Sequence, residues 1–399
     1  MTLLLDSIFA SVAWGHLIVD VLNGQRTVLL TFWSIELGMN NTMLALVTTI
    51  YIWVASLSQP IFGWITDRFS NVRWMAAGGI LWMTGFFGLA LFLPIQAAIP
   101  CLILASLGSA AFHPVGTMQA TLRGRTHLSG QETTAASWFF LFGQFGYFLG
   151  PIVGGPLLDF FGPVGLLILV APALVIGLNA AWQLRLIPKP ILHAPNPGTE
   201  PGLNVTTGKS FLLILALVAA LQAWAQQNMI TFMPKYLSDL GQPARVYGLM
   251  AGIFMGGSAI GNVIGGSLAD RFPKQRVAMV MLTLAAIPLV LISLVGWSGW
   301  LYILVPLAGA CTGAIHSIIV VLAQRSIRSG MALASGLTLG FMFSAGALGT
   351  LLSGWFADIW GFPPVFQITA GQVLLAALLT IFLRERKAAT QINRETSLG

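Results

Sequence analysis

Charge is nearly missing from this chain. Only 8% of its 399 residues are Asp, Glu, Lys or Arg, where a soluble domain carries about 25%. So thin a supply cannot cover a water-facing surface. Cysteine is scarce too: Cys101 and Cys311 are the only two, both in apolar segments, which excludes a disulfide framework and a thiolate metal site. There is no HExxH, no Walker loop, no GxSxG and no cluster of carboxylates or thiols, so the chain offers no enzyme active site and calls for no cofactor or metal. Basic residues are scattered singly instead of forming a patch, and nucleic acid is not an expected partner. Long polar stretches are absent apart from one, about Pro188 to Lys209, which leaves no room for a separate soluble domain.

What fills the chain is hydrocarbon, at 56% hydrophobic residues. Apolar runs long enough to cross a bilayer core recur along nearly its whole length. Twelve spans are predicted, roughly 7–33, 43–66, 74–93, 98–122, 132–159, 163–187, 210–238, 245–268, 277–296, 299–325, 330–358 and 362–384. The expected fold class is therefore an all-α membrane protein of twelve transmembrane helices in two six-helix bundles. The bundles are placed at 1–187 and 210–385, joined by a linker at 188–209 and followed by a tail at 386–399. Proline and glycine are dense in that linker, as in flexible or extended connections.

The few charges give an orientation. With the N-terminus in the cytoplasm, 16 of the 19 Lys and Arg fall in the even-to-odd loops or the C-terminus; the exceptions are Lys235, Arg245 and Arg26. Positive residues concentrate on the cytoplasmic side, so both termini are expected there, in a cell membrane. The first six residues hold no Lys or Arg, and the first span is long enough to stay as an anchor, so no cleavable signal peptide is expected.

The chain also repeats itself once. Gly63-Trp-Ile-Thr-Asp67-Arg68-Phe69, ending in Arg73, returns 203 residues later as Gly266-Ser-Leu-Ala-Asp270-Arg271-Phe272, ending in Arg276. His113 finds His316 at the same offset. Gly155-Pro-Leu-Leu-Asp159 with Gly162 is echoed by Gly354-Trp-Phe-Ala-Asp358 with Gly361, at offset 199. One internal repeat in an apolar chain reads as two bundles facing each other across a pathway.

These motifs resemble the major facilitator superfamily. The Gly-x-x-x-Asp-Arg loop is similar to that superfamily's loop between its second and third helices. Gly146-x-x-x-Gly150-Pro151-x-x-Gly154-Gly155 resembles a glycine-rich motif of its drug/proton antiporters. Gly15-His16-Leu-Ile-Val-Asp20, Ser58-Gln-Pro-Ile-Phe-Gly63, Gly108-Ser-Ala-Ala-Phe-His113-Pro114 and Ser335-Gly-Leu through Phe341 resemble the fosmidomycin-resistance group of efflux proteins. The resemblance implies a transporter whose first, fourth, seventh and tenth helices line a central cavity. Two features depart from it: the fourth span has no basic residue before Arg123, and Arg26 lies within the first.

Ionisable groups at mid-membrane depth are costly and face protein or a wet cavity. Asp20 is the only carboxylate near the middle of any span, and His16, Asp20, Asn23 and Thr27 fall on one helical face. Asp20, with His113, is the expected proton-coupling group; a static Asp20–Arg26 or Asp20–His113 pair and direct substrate contact are the alternatives. Candidate substrate-binding residues are His16, Asn23, Arg26, His113, Gln144, Trp224, Asn228 and His316. Arg26 suits a phosphonate, phosphate or carboxylate, whose two oxygens match its planar fork. Asp67, Arg68, Arg73, Asp270 and Arg271, with Gly150 and Pro151, are the expected gating residues. The reading that follows is a proton-driven efflux antiporter, working as a monomer on a small anionic or amphiphilic compound, with an uptake symporter as the alternative.

Overall fold

A computed structural model describes residues 5–69, 71–127, 132–187, 209–326 and 331–383. Within them every regular element is helical. The first half holds α1 (Ser7–Glu36), α2 (Asn41–Phe69), α3 (Val72–Ala90), α4 (Ile95–His127), α5 (Glu132–Phe161) and α6 (Leu167–Gln183). The second holds α7 (Lys209–Asp239), α8 (Ala244–Arg271), α9 (Lys274–Val295), α10 (Leu301–Gly313), α11 (His316–Ser326), α12 (Met331–Trp360) and α13 (Phe362–Thr380). Among the described residues eleven helical stretches are long and apolar enough to cross a membrane, α10 and the start of α11 counting as one. The linker at 188–208 and the tail at 386–399 lie outside the described residues.

The predicted tenth span is not one helix. It breaks at Ala314–Ile315 into α10 and α11. Gly309 and Gly313 are weak helix formers and press against Phe254 and Ser258 of α8; the helix yields just past them. His316 thereby opens α11, within the single apolar stretch Leu301–Val320 that is long enough to cross a membrane.

Packing repeats as the sequence does. In the first half α1 packs on α5 and α6, α4 on α2 and α3, and α3 on α6. In the second half α7 packs on α12 and α13, α10 on α8 and α9, and α9 on α13. Lipid tails are as apolar as leucine, so such contacts form by close backbone approach rather than by expulsion of water. On α8 a β-carbon at Gly257, Gly261 or Gly265 would lie 1.9–2.0 Å from a carbonyl oxygen of Pro306, Ala310 or Ala314. That glycine row is a packing face. The turn glycines repeat as well: Gly162 and Gly361 end α5 and α12 with φ of +65° and +77°, a region that L side chains rarely enter.

Two seams join the halves, α2 against α12 and α5 against α8. The helices alternate in direction, α10 and α11 counting as one, so the start of α1 and the end of α13 share one face, here called the terminal face. The loop after α1 marks the far face.

Candidate functional site

At the core of the first half, His16 and Asp20 on α1 meet His113 on α4. His16 Nε2 lies 3.2 Å from Asp20 Oδ2 and His113 Nε2 lies 3.4 Å from Asp20 Oδ1. Asn23 ties the group together: its amide donates to Asp20 Oδ1 (2.9 Å) and to Ser109 Oγ (3.0 Å), and its oxygen accepts from the Tyr51 hydroxyl (2.8 Å). His16 also stacks on Phe139, with ring centroids 4.0 Å apart. The space for this comes from Gly143 on α5, where a β-carbon would sit 2.4 Å from the His16 ring and 2.7 Å from Asp20 Oδ2.

The hydrogen bonds decide where protons belong. His16 Nδ1 is 2.7 Å from the Phe139 carbonyl, and His113 Nδ1 is 2.8 Å from the Ser109 carbonyl. A carbonyl only accepts, so each ring carries its hydrogen on Nδ1. Each Nε2 then faces a carboxylate oxygen, lone pair against lone pair. Either contact becomes attractive only with a proton in it, on the ring or on the carboxyl. Two such contacts give a cluster whose net charge runs from −1 with neither proton to 0 with one and +1 with both. The three ligand atoms lie within 4.8 Å of one another, close enough to share a small cation.

Arg26 sits on the same helix, buried, with its guanidinium 4.6 Å over the Tyr51 ring and Nη2 3.4 Å from Thr27 Oγ1. Among the described residues no carboxylate lies within ion-pair distance of it. The static Asp20–Arg26 pair considered above is thus not formed, and the side chain does not reach for the outer interface.

These groups open on a central cavity of about 150 Å³ between the halves. The first half contributes His16, Asp20, Asn23, Arg26, Tyr51, Gln59, His113, Gln144 and Tyr147; the second contributes Gln222, Gln226, Gln227, Ser258 and His316. One wall carries ionisable groups and the other mostly neutral amides. Trp224 and Asn228 require a correction: they do not line the cavity. Trp224 Nε1 donates to Ser353 Oγ (2.9 Å), and Asn228 donates to Ser353 (2.9 Å) and Thr369 (3.0 Å), in the seam of α7 with α12 and α13. Successive helical residues turn by about 100°, so Gln222, Gln226 and Gln227 take the cavity side and these two do not.

The expected gating loops give a mixed picture. Asp67, Arg68 and Arg73 are exposed, with Arg68 near the Trp64 and Phe69 rings and Arg73 near Trp74. Arg271 is exposed at the end of α8, and the side chain of Asp270 lies outside those described. Gly150 and Pro151 lie on α5 where it meets α1 and α8: a β-carbon on Gly150 would stand 2.2 Å from the Val21 carbonyl, and one on Gly248 2.5 Å from the Pro151 carbonyl.

The described latches between halves are on the far face. Asp358, at the end of α12, accepts the backbone N–H groups of Asn41 (2.8 Å) and Thr42 (2.9 Å) at the start of α2. Asp159, at the end of α5, accepts those of Ala244 (2.7 Å) and Arg245 (2.9 Å) at the start of α8. Each carboxylate caps a helix of the opposite half, where unpaired N–H groups and the helix dipole favour an anion. The offset of 199 pointed to this pair, but sequence alone does not say which helix a carboxylate will cap. Tyr51, Gly143 and Tyr147 also escaped the sequence reading, because nothing local marks them.

Comparison with known proteins agrees with this architecture. The chain is 27% identical over 392 residues to the fosmidomycin resistance protein of Escherichia coli (strain K12), covering 95% of this chain and 93% of that one. It is 26% identical over 386 residues to an uncharacterized transporter, YfnC, of Bacillus subtilis (strain 168), covering 93% and 91%. Among solved structures, a variant of the nucleoside transporter NupG superposes with a TM-score of 0.73 at 15% identity, covering 94% of this chain and 99% of that one. A variant of the Escherichia coli fucose:proton symporter FucP gives 0.64 at 16% identity, covering 95% and 98%. The Major Facilitator Superfamily model matches residues 17–241 and 212–397, nearly the whole length in two copies. With its helices in two like halves around one cavity, the chain belongs to the Major Facilitator Superfamily.

Proposed function

We propose that this transporter is a proton-coupled antiporter that exports a small anionic or amphiphilic compound by alternating access. The observation that carries the reading is the His16–Asp20–His113 cluster, whose two contacts each need a proton and which faces the cavity that Arg26 also lines. Taking up or releasing a proton there changes the charge beside the arginine, so proton load and anion occupancy bear on one another. The likeness to a fosmidomycin resistance protein supports export. The distribution of Lys and Arg supports a cell-membrane location with both termini in the cytoplasm, which makes the terminal face cytoplasmic. The protein works as a monomer, since the pathway lies between its own two halves.

Gradient-driven proton flux in liposomes tests this, with substrates drawn from phosphonates, organic acids and lipophilic cations. Asp20→Asn keeps size and polarity but cannot cycle a proton, so it should abolish coupled transport while the protein still folds and inserts. Full gradient-driven transport by this variant would exclude Asp20 from coupling. Substrate and proton moving in the same direction would make the protein a symporter.

A further inference from the structure

The two seams between the halves are not alike. The α2–α12 seam is closed over most of its length: from the Asp358 cap it runs through Thr49 on the Ala347 carbonyl (2.9 Å) and Trp53 on the Ser344 carbonyl (3.0 Å). It ends where a β-carbon on Gly336 would sit 3.2 Å from the Gln59 backbone. The α5–α8 seam closes only toward the far face. There a β-carbon on Gly155, Gly248 or Gly252 would fall within 2.8 Å of a backbone oxygen of Ala244, Pro151 or Phe148. Beyond Phe148 the helices part, leaving a cleft of about 420 Å³. Its side chains are all apolar, among them Leu141, Phe145, Ile260, Val263 and Ile264.

We infer that this cleft is a lateral portal that takes the hydrocarbon tail of an anionic amphiphile from the bilayer leaflet on the terminal face. The inference rests on the proposed function above, whose cavity would hold the charged head. Three observations support it. The cleft lies in the middle and terminal-face portions of α5 and α8, both membrane-spanning, and Phe145, Ile260, Val263 and Ile264 are exposed there. It adjoins the central cavity: Gln144 and Met255 line the cavity, while their neighbours Phe145 and Gly256 line the cleft. The cavity supplies a cation in Arg26 with no carboxylate partner among the described residues, complementary to an anionic head. A molecule with an anion at one end and an apolar chain at the other matches both compartments.

The test is binding of n-alkylphosphonates of two to eight carbons to the full chain in lipid nanodiscs. In the wild type each added methylene should tighten binding about threefold to fourfold. Val263→Trp and, independently, Ile260→Trp fill the cleft from lipid-exposed positions. Both should at least halve that gain per methylene on a logarithmic scale while leaving ethylphosphonate binding unchanged. Octylphosphonate carrying a diazirine at its tail should label residues 141–148 and 256–264. Equal chain-length gains in the wild type and both variants would reduce the effect to partitioning into the bilayer and overturn the portal. So would labelling elsewhere, or a phospholipid chain retained in the cleft that octylphosphonate fails to displace. Arg26→Gln separates the two claims, since it should weaken every chain length by the same factor. If Arg26→Gln binds all of them as the wild type does, the anion site falls while the portal is judged by the tryptophan variants alone. If no alkylphosphonate binds the wild type, both fall.

Discussion

At the scale of single residues, the smallest side chain shapes the His16–Asp20–His113 cluster. Gly143 lies against both His16 and Asp20, and neither partner is free to retreat. His16 is held by its stack on Phe139 and its bond to the Phe139 carbonyl, and Asp20 by Asn23 and His113. Alanine is the better helix former by up to about 1 kcal/mol, but overpacking a fixed neighbourhood typically costs about 1–3 kcal/mol. Gly143→Ala should therefore displace the cluster and lower proton-coupled flux at least tenfold, with the protein still inserted. Gly85→Ala is the control, because nothing lies within 4 Å of a β-carbon there. Both are read as substrate-driven proton uptake in liposomes; undiminished flux in Gly143→Ala would mean that the spacing of His16 and Asp20 is not critical. The polar stripe on α1 was legible in the sequence, since His16, Asp20 and Asn23 recur at helical spacing. Gly143 was not, because a glycine in a glycine-rich helix does not announce which neighbour it makes room for.

At the scale of helices, the far-face caps decide how the halves hold together. An N-cap carboxylate contributes about 0.5–2 kcal/mol relative to alanine, and here each cap exists only while α2 meets α12 or α5 meets α8. Asp159→Ala or Asp358→Ala should thus shift the conformational balance away from this far-face-closed state by roughly 2- to 30-fold, the exponential of the cap energy over RT. The two sites are on separate seams, so their effects should add in the double variant. Distances between spin labels on the two halves at the far face report the populations. Unchanged distance distributions in the double variant would reduce both contacts to surface hydrogen bonds. The likeness of the two halves was foreseeable from the internal repeat, and the approximate helix ends from the apolar runs. The break at Ala314–Ile315 and the turn of Trp224 and Asn228 toward Ser353 depend instead on how α8 and α12 press on their neighbours, which one helix's own sequence does not carry.

At the scale of the whole molecule, alternating access requires that the far-face seams open and close in turn. The α5–α8 seam is the more informative of the two, being closed at the far face and parted toward the terminal face. In a background with Cys101 and Cys311 replaced by alanine, a cysteine pair at Asp159 and Arg245 offers two thiols for a short bifunctional reagent. These side chains meet across the seam, Arg245 Nη1 donating to Asp159 Oδ2 (3.1 Å), one on each half. Joining them holds the far face shut without touching the cavity lining. Transport should then stop completely and return when a cleavable linker is cut, while binding of substrate from the terminal face persists at wild-type affinity. The persistence matters, because a denatured or collapsed protein would lose binding as well. If the cross-linked protein still transports, the halves do not part along this seam, and α2 and α12 must carry the movement even though they are the more tightly joined pair.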